Sequence, residues 1–591
     1  EQKQPQAQKQ PQPQHIENLG SQQALEQSLA VASKLNSGEL VSQIYLSLGN
    51  TAQALRRTDE AQALQRTNEA IQYYGQAAAS STSPITRVVA QINQLRLSLE
   101  KPQQQPKQVG QKSYQNLQQT LLPQIQSQLD SLAPSRKTVY ARINFAQTLA
   151  CLRQKSEARG TAINVNCPKQ ETSAENITTN NIPEWKAIAQ IVATAVEQAK
   201  SLEDKRAEAY ALGTLGGLYE QTQQWNDAQK LTQQASALAE NIPAPDIGYR
   251  WQWQLGRILK SRGDQTGAKA AYTKAVNNLK SIRGDLVAMR EVEYSFQEEV
   301  EPIYRELVSL LLQSGNTANK QPSQNDLDSA RKVIESLKVA ELDNFFRRAC
   351  IDATPVSIDE IDPTAAVIYP VILGDRLEVI VSLPSSSSKQ KQSQDLRHYA
   401  KNIPLKELED KLDELRQKLE TRTTPEFLVP SQEVYQWVIK PIESELEKRQ
   451  IKNLVFVLDG PMRSIPMAAL YDGNKYLVEK YNIALTPGLE LLNPQPFART
   501  QGRTIAGGLS EARQNFPALP AVKRELEEIE STVRQSEVLL DKQFTTEAIK
   551  EAVKSLNAPV VHLATHGQFS SKAEDTFILT FDGKATYARR M

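Results

Sequence analysis

Val560-Val561-His562-Leu563-Ala564-Thr565-His566-Gly567 is a short apolar run that ends in His-Gly. Its β-branched start and terminal glycine read as a buried strand followed by a loop. Working back from it, residues 538–540, 504–506 and 453–458 read as further strands, with 559–563 the core of the last. Residues 521–535 and 545–556 read as the helices between the later ones. Strand–helix–strand alternation predicts an α/β domain with a mostly parallel sheet and helices on its faces. His566 then falls at the carboxyl edge of that sheet, where open α/β sheets place their sites. A histidine there can take a proton from a nucleophile and return it to a leaving group. Gly567 is expected to let the backbone turn sharply and to offer its N–H to a developing oxyanion.

His562 lies four residues before His566, on the same strand face. An H-x-x-x-H metal site needs a helix and an acidic residue that this segment lacks, so His562 reads as a structural neighbour. A zinc hydrolase built on His562 and His566 would require an acidic third ligand. Ala506-Gly507-Gly508 is too short a glycine signal for a phosphate-binding loop. No cofactor and no metal are expected.

The domain begins with a hairpin. Residues 366–373 and 376–383 are apolar and β-branched and are joined by Gly374-Asp375. A Ser/Lys/Gln-rich loop, 385–394, precedes an amphipathic helix over 405–419 marked by Leu408, Leu412, Leu415 and Leu419. Upstream, from residue 16 to 346, nearly every segment has helical periodicity, with breaks at 101–107, 164–182 and 315–325. Residues 1–15 form a Gln/Pro-rich arm that cannot bury enough apolar surface to fold.

The helical region repeats itself. Leu215-Gly216-Gly217-Leu218-Tyr219 is followed by Ala228 and Ala235; Leu255-Gly256 is followed by Ala268, Tyr272 and Ala275 at matching offsets. Ala70, Tyr74 and Ala77 form a weaker third unit. Small residues where paired helices approach, with an aromatic between them, resemble the tetratricopeptide repeat. That resemblance implies an all-α helical solenoid whose concave face holds a peptide or protein partner. The glycine spacing of 40 residues exceeds the repeat's usual period of about 34, so a longer linking loop is expected. Tyr249, Trp251 and Trp253 are either inter-repeat core or part of the concave lining.

The chain has 591 residues, 69 basic and 68 acidic, for a formal net charge of +1. A length this great implies several domains, and the charge balance argues against nucleic-acid binding. No stretch approaches the roughly 18 apolar residues of a membrane span. Three cysteines, Cys151, Cys167 and Cys350, are too few for a disulfide scaffold. Cys151 and Cys167 are close enough in sequence to bridge, but free thiols are the expectation.

Four ordered segments, ELDNFFRRAC (341–350), FVLDGPMRSIPMAAL (456–470), AGGLSEARQNFPALP (506–520) and VHLATHGQF (561–569), resemble a CHAT domain, the caspase-like peptidase domain often attached to tetratricopeptide repeats. The likeness is to the cyanobacterial type. It implies a multidomain chain, a repeat region over 16–346 followed by a caspase-like CHAT domain over 347–591. It also implies a cysteine endopeptidase in which His566 is the general base or orienting member of a Cys–His dyad and Gly567 belongs to the oxyanion hole. The family's nucleophile sits on a later strand-end segment. Here only 25 residues follow His566, and none is cysteine. Cys350 ends a helix before the sheet, Cys151 reads as helix core and Cys167 lies in a loop of the repeat region, so none has the setting of an activated thiolate. The CHAT domain is therefore expected to be incomplete at its C-terminal end. The function implied is a caspase-like cysteine endopeptidase, or a fragment of one, whose repeats bind a regulator or protein substrate. The alternative is a non-catalytic scaffold or pseudoenzyme acting by protein–protein interaction. Localisation stays open between the bacterial cytoplasm and export after signal-peptide removal.

Overall fold

The computed structural model describes residues 13–58, 63–98, 109–156, 182–284, 296–313, 321–346, 362–384, 395–421, 425–489, 503–533, 535–556, 558, 560–568 and 576–586. The chain divides into two compact units, Glu1–Leu337 with Asp359–Thr486, and Lys338–Ile358 with Pro487–Met591. The expected arm falls mostly outside the described residues, as do most of the three expected breaks.

The first unit opens with helices α1 (Pro13–Lys34), α2 (Gly38–Thr58), α3 (Ala63–Ser80), α4 (Pro84–Ser98), α5 (Val109–Ser131), α6 (Arg136–Ser156) and α7 (Trp185–Ser201). There follow α8 (Lys205–Gln221), α9 (Trp225–Asn241), α10 (Pro245–Ser261), α11 (Gln265–Ser281), α12 (Glu301–Leu312) and α13 (Gln324–Phe346), of which the residues from Lys338 on belong to the second unit. Successive helices pack as antiparallel pairs, and the repeated small residues explain why they can. A Cβ on Gly256 would meet the Tyr272 ring at 2.5 Å, and one on Gly49 would meet the Tyr74 ring at the same distance. The first and weakest of the three units thus uses the same glycine–tyrosine contact as the last. Asp204 and Asp264 cap α8 and α11, accepting from the amides of Ala207 at 2.9 Å and Gly267 at 2.8 Å.

The 40-residue spacing has a different origin from the one expected. Helices α8 to α11 are each 17 residues long, and only residues 222–224, 242–244 and 262–264 join them. The helices are long and the loops short. Tyr249, Trp251 and Trp253 are buried, which decides for core.

Strands β1 (Ala365–Ile372) and β2 (Arg376–Leu383) form the expected hairpin, closed by a bond from the Leu373 amide to the Arg376 carbonyl of 2.9 Å. With β3 (Asp395–Asn402), β4 (Asn453–Val457) and β5 (Asn482–Thr486) they make a sheet of order β3-β2-β1-β4-β5. β1, β4 and β5 run parallel; the hairpin makes the rest antiparallel. Helix α14 (Leu405–Glu420) buries Leu408, Leu412 and Leu415 against this sheet. The last repeat helices are tied to the same sheet. Arg305 bonds the Asp459 carboxylate, the Tyr369 hydroxyl donates to Glu335 at 2.8 Å, and the Gln324 side chain exchanges two bonds with the Leu396 backbone.

In the second unit β6 (Arg503–Gly508), α18 (Ala521–Thr532), β7 (Gln535–Leu540), α19 (Thr546–Leu556) and β8 (Val560–Ala564) form a wholly parallel sheet of order β7-β6-β8. (α15, α16 and α17 are Leu428–Val438, Glu443–Lys448 and Leu477–Lys480 of the first unit.) A hairpin of β10 (Phe577–Thr580) and β11 (Gly583–Thr586) pairs with the two-residue β9 (Gly567–Gln568). The expected strands thus fall in two sheets, β1, β2 and β4 in the first and β6, β7 and β8 in the second. The glycines ending β6 are packing residues: a Cβ on Gly507 would lie 2.3 Å from the Phe544 ring, and one on Gly508 2.6 Å from Val522.

Candidate active site

His566 lies just past the carboxyl end of β8, half-buried, as the strand reading required. Its Nε2 is 2.8 Å from the backbone carbonyl oxygen of Pro517. A carbonyl can only accept, so Nε2 carries the proton and, in the neutral ring, Nδ1 carries the free lone pair. The ring also packs against Phe516, with centroids 5.2 Å apart, and Phe516 meets Phe577 edge-on at 5.9 Å. The imidazole is therefore held on both counts, by a hydrogen bond and by an aromatic face.

The loop that supplies these contacts is itself unusual. Arg513 and Phe516 exchange both backbone bonds, at 3.0 and 2.8 Å, around Gln514 and Asn515. Those two residues have φ of 49° and 69°, the positive pair of a primed hairpin turn. Neither is glycine, and a non-glycine residue in that region carries roughly 1–2 kcal/mol of strain. Surrounding contacts hold the turn in place, among them a bond from Arg513 Nε to the Phe581 carbonyl of 2.5 Å.

Gly567 does not make the sharp turn expected of it. It sits in β9 opposite Ile578, and its φ is not among the positive ones. What it needs is close approach, since a Cβ would lie 3.1 Å from the Phe577 carbonyl oxygen. The neighbouring bond from the Leu579 amide to the His566 carbonyl, 2.8 Å, makes Gly567 and Ile578 a non-hydrogen-bonded pair. The Gly567 N–H therefore points away from β10.

His562 has its own partner, Glu525 of α18, at 2.9 Å. The two histidines serve different neighbours, a carboxylate and a carbonyl. Among the described residues no group of three or more His, Cys, Asp or Glu stands together in a way that could hold a metal ion. Nor does any described helix have the length and apolarity to cross a membrane.

Cys151 is buried in α6 and disulfide-bonded, which overturns the expectation of free thiols. The other two cysteines, Cys167 and Cys350, lie outside the described residues. The unfolded, unreduced chain is expected to titrate one thiol among the three cysteines, and three after reduction. Three thiols before reduction would show that the bridge does not form.

Sequence reading named His566 and Gly567 as site candidates and His562 as their neighbour. It missed the Pro517 carbonyl, Phe516 and Glu525, of which the segment 506–520 gave the only hint.

A region of paired helices followed by an α/β region with mixed sheet is the class this architecture defines. Residues 428–588 match the family model of the CHAT domain, and a region of paired helices precedes them in the chain. Among solved structures, the chain is similar to BtubC (BKLC) from P. vanneervenii at 15% identity, over 45% of this chain and 92% of that one, with a TM-score of 0.33. Aspartyl phosphate phosphatase F from Bacillus subtilis is similar at 12% identity, over 52% and 68%, with a TM-score of 0.30. A signal-transduction ATPase with a tetratricopeptide repeat sensor from Pyrococcus horikoshii is similar at 11%, over 56% and 47%, with a TM-score of 0.27. Likeness at this level says nothing of function. No curated protein matches the chain.

Proposed function

We propose that the chain carries the histidine half of a caspase-like cysteine endopeptidase, and that its repeats hold a regulator or a protein substrate. The observation that carries this reading is the fixed tautomer of His566: with Nε2 committed to Pro517, Nδ1 is the nitrogen available to a thiol. Nδ1 takes the thiol proton, and the thiolate attacks the peptide carbonyl carbon to form a C–S bond. The oxyanion accepts from the Gly567 N–H. The imidazolium then protonates the departing amine as the C–N bond breaks, and water hydrolyses the thioester.

The thiol must come from beside β8. In the described residues β8 pairs only with β6, and its adjacent Val560 and Val561 are 38% and 42% exposed. Adjacent residues of a strand face opposite ways, so both faces of β8 lack cover. A further strand laid along that edge would cover them and bring a cysteine to His566. The second reading, a non-catalytic scaffold, is favoured by the state of Cys151, which is bridged and cannot serve as nucleophile.

Protein isolated from its source, treated with a thiol-directed peptidyl electrophile and digested, tests the proposal. Labelling of a cysteine outside the three in this sequence, abolished by His566→Ala, is the expected result. An unlabelled protein leaves the scaffold reading standing.

A further inference from the structure

Lys584 of β11 lies beside this site and has an uncommon environment. Its ammonium sits 4.1 Å from the centre of the Phe577 ring and 5.8 Å from that of Phe516. Phe516 is the ring that packs on His566. Two aromatic faces thus hold a cation at the edge of the imidazole platform, an arrangement that favours the charge and removes part of its water. Among the described residues no carboxylate pairs with it. Asp582, two residues before it in the chain, is committed elsewhere, accepting from the Thr546 amide and the Thr580 hydroxyl, both at 2.9 Å. The other local cation, Arg513, donates to the Phe581 carbonyl and stacks on the Phe581 ring at 3.5 Å.

From these contacts we infer that Lys584 is a specificity-determining residue that receives an acidic side chain of a polypeptide substrate. One ring, Phe516, bridges the imidazole and the ammonium. At roughly 3.3 Å per extended residue, the carboxylate belongs within about three residues of the bond placed at His566. The aromatic faces supply the rest of the subsite: they flank the exposed lysine and pack the methylenes of the incoming residue. The inference rests on the peptidase reading above, since only then does a chain pass His566 in extended form.

The test is a binding measurement, so that it does not depend on turnover. The lysines of the full-length protein are reductively methylated with ¹³C, which keeps their charge, and Lys584→Gln assigns the Lys584 signal. Two blocked hexapeptides of alanine are titrated, one carrying Asp-Asp and the other Asn-Asn at its centre. The aspartate peptide is expected to bind about fivefold tighter and to shift the Lys584 signal. Lys584→Gln removes the preference, and Lys584→Glu transfers it to a Lys-Lys peptide. Equal binding of the acidic and amide peptides, binding of neither, or a preference that survives Lys584→Gln overturns the inference. A Lys584-dependent preference in a protein that no thiol-directed electrophile labels would leave this subsite standing and remove the peptidase reading. Labelling without the preference would do the reverse.

Discussion

Replacing Asp459 with alanine is expected to destabilise the first unit by about 3–5 kcal/mol, measured by chemical denaturation. Asp459 follows β4 at the carboxyl end of the first sheet and is 2% exposed. Its carboxylate accepts from Arg305 Nη1 at 2.7 Å and Nη2 at 3.1 Å, and from the Ile372 amide at 3.0 Å. Arg305 belongs to repeat helix α12 and also donates to the Ile372 carbonyl at 2.9 Å and to Glu301 at 2.7 Å. Burial alone would lower the Arg305 pKa, but Asp459 and Glu301 hold it above the ordinary arginine value. Alanine at 459 would strand both a guanidinium and a buried amide. Two partial losses therefore add: an uncompensated charge and an unsatisfied donor. The double change Arg305→Met with Asp459→Leu removes charge from both sides and is expected to recover most of the loss. A single-mutant loss below about 1 kcal/mol would mean that the pair does not tie the repeat helices to the sheet.

That tie was not legible in the sequence, and the reason is general. Local periodicity reveals elements, not the partners they choose across long separations. The leucine spacing in 405–419 foretold α14 and its buried stripe, and Gly374-Asp375 foretold the β1–β2 hairpin. The repeat was found through its glycines and alanines, yet its period was ascribed to loops when long helices produce it. His566 was found because a strand end has a sequence signature. Its orienting contact was not, because a backbone carbonyl carries no signature in residue type. The primed turn that delivers this carbonyl was equally hidden, since Gln514-Asn515 lacks the glycine that usually marks such turns. Gly567 shows the converse error. Its identity was read as a bend, whereas the constraint comes from the Phe577 backbone on the adjacent strand.

Lys480→Met is expected to destabilise the first unit by about 2–4 kcal/mol at neutral pH and to make its stability depend less on pH in the acid range. Lys480 ends α17 and donates to Glu443 at 2.5 Å, to the Tyr435 hydroxyl at 3.0 Å and to Asp472 at 3.1 Å. Asp472 also accepts from the amides of Asn474 and Lys475 at 2.7 and 2.8 Å, and Glu443 from Lys440 at 2.7 Å. Burial would raise both carboxyl pKa values, yet these donors lower each to about 2, from ordinary values of 4.5 for Glu443 and 3.8 for Asp472. A depressed carboxylate contributes stability that is complete above its unfolded value and is lost as pH falls through the folded one. The native protein should therefore hold its stability from neutral pH down to about pH 5 and lose, with solvent screening the charges, on the order of 1 kcal/mol per carboxylate between about pH 4 and 2. The Lys480 pKa is shifted the other way: burial opposes the charge, but Glu443, Tyr435 and Asp472 raise it above the ordinary lysine value of 10.5. Its share is thus present throughout the acid and neutral range and lost only in strong alkali. With methionine in its place, Glu443 keeps Lys440 and Asp472 keeps its two amides, so both folded pKa values rise part of the way toward their ordinary values. Denaturation midpoints of the two proteins should then differ most at pH 6–8 and draw together as pH falls from 4 toward 2, where the native carboxylates become about half protonated. A difference that stayed constant over that range would assign the Lys480 contribution to packing of its methylenes and leave the charges without a role.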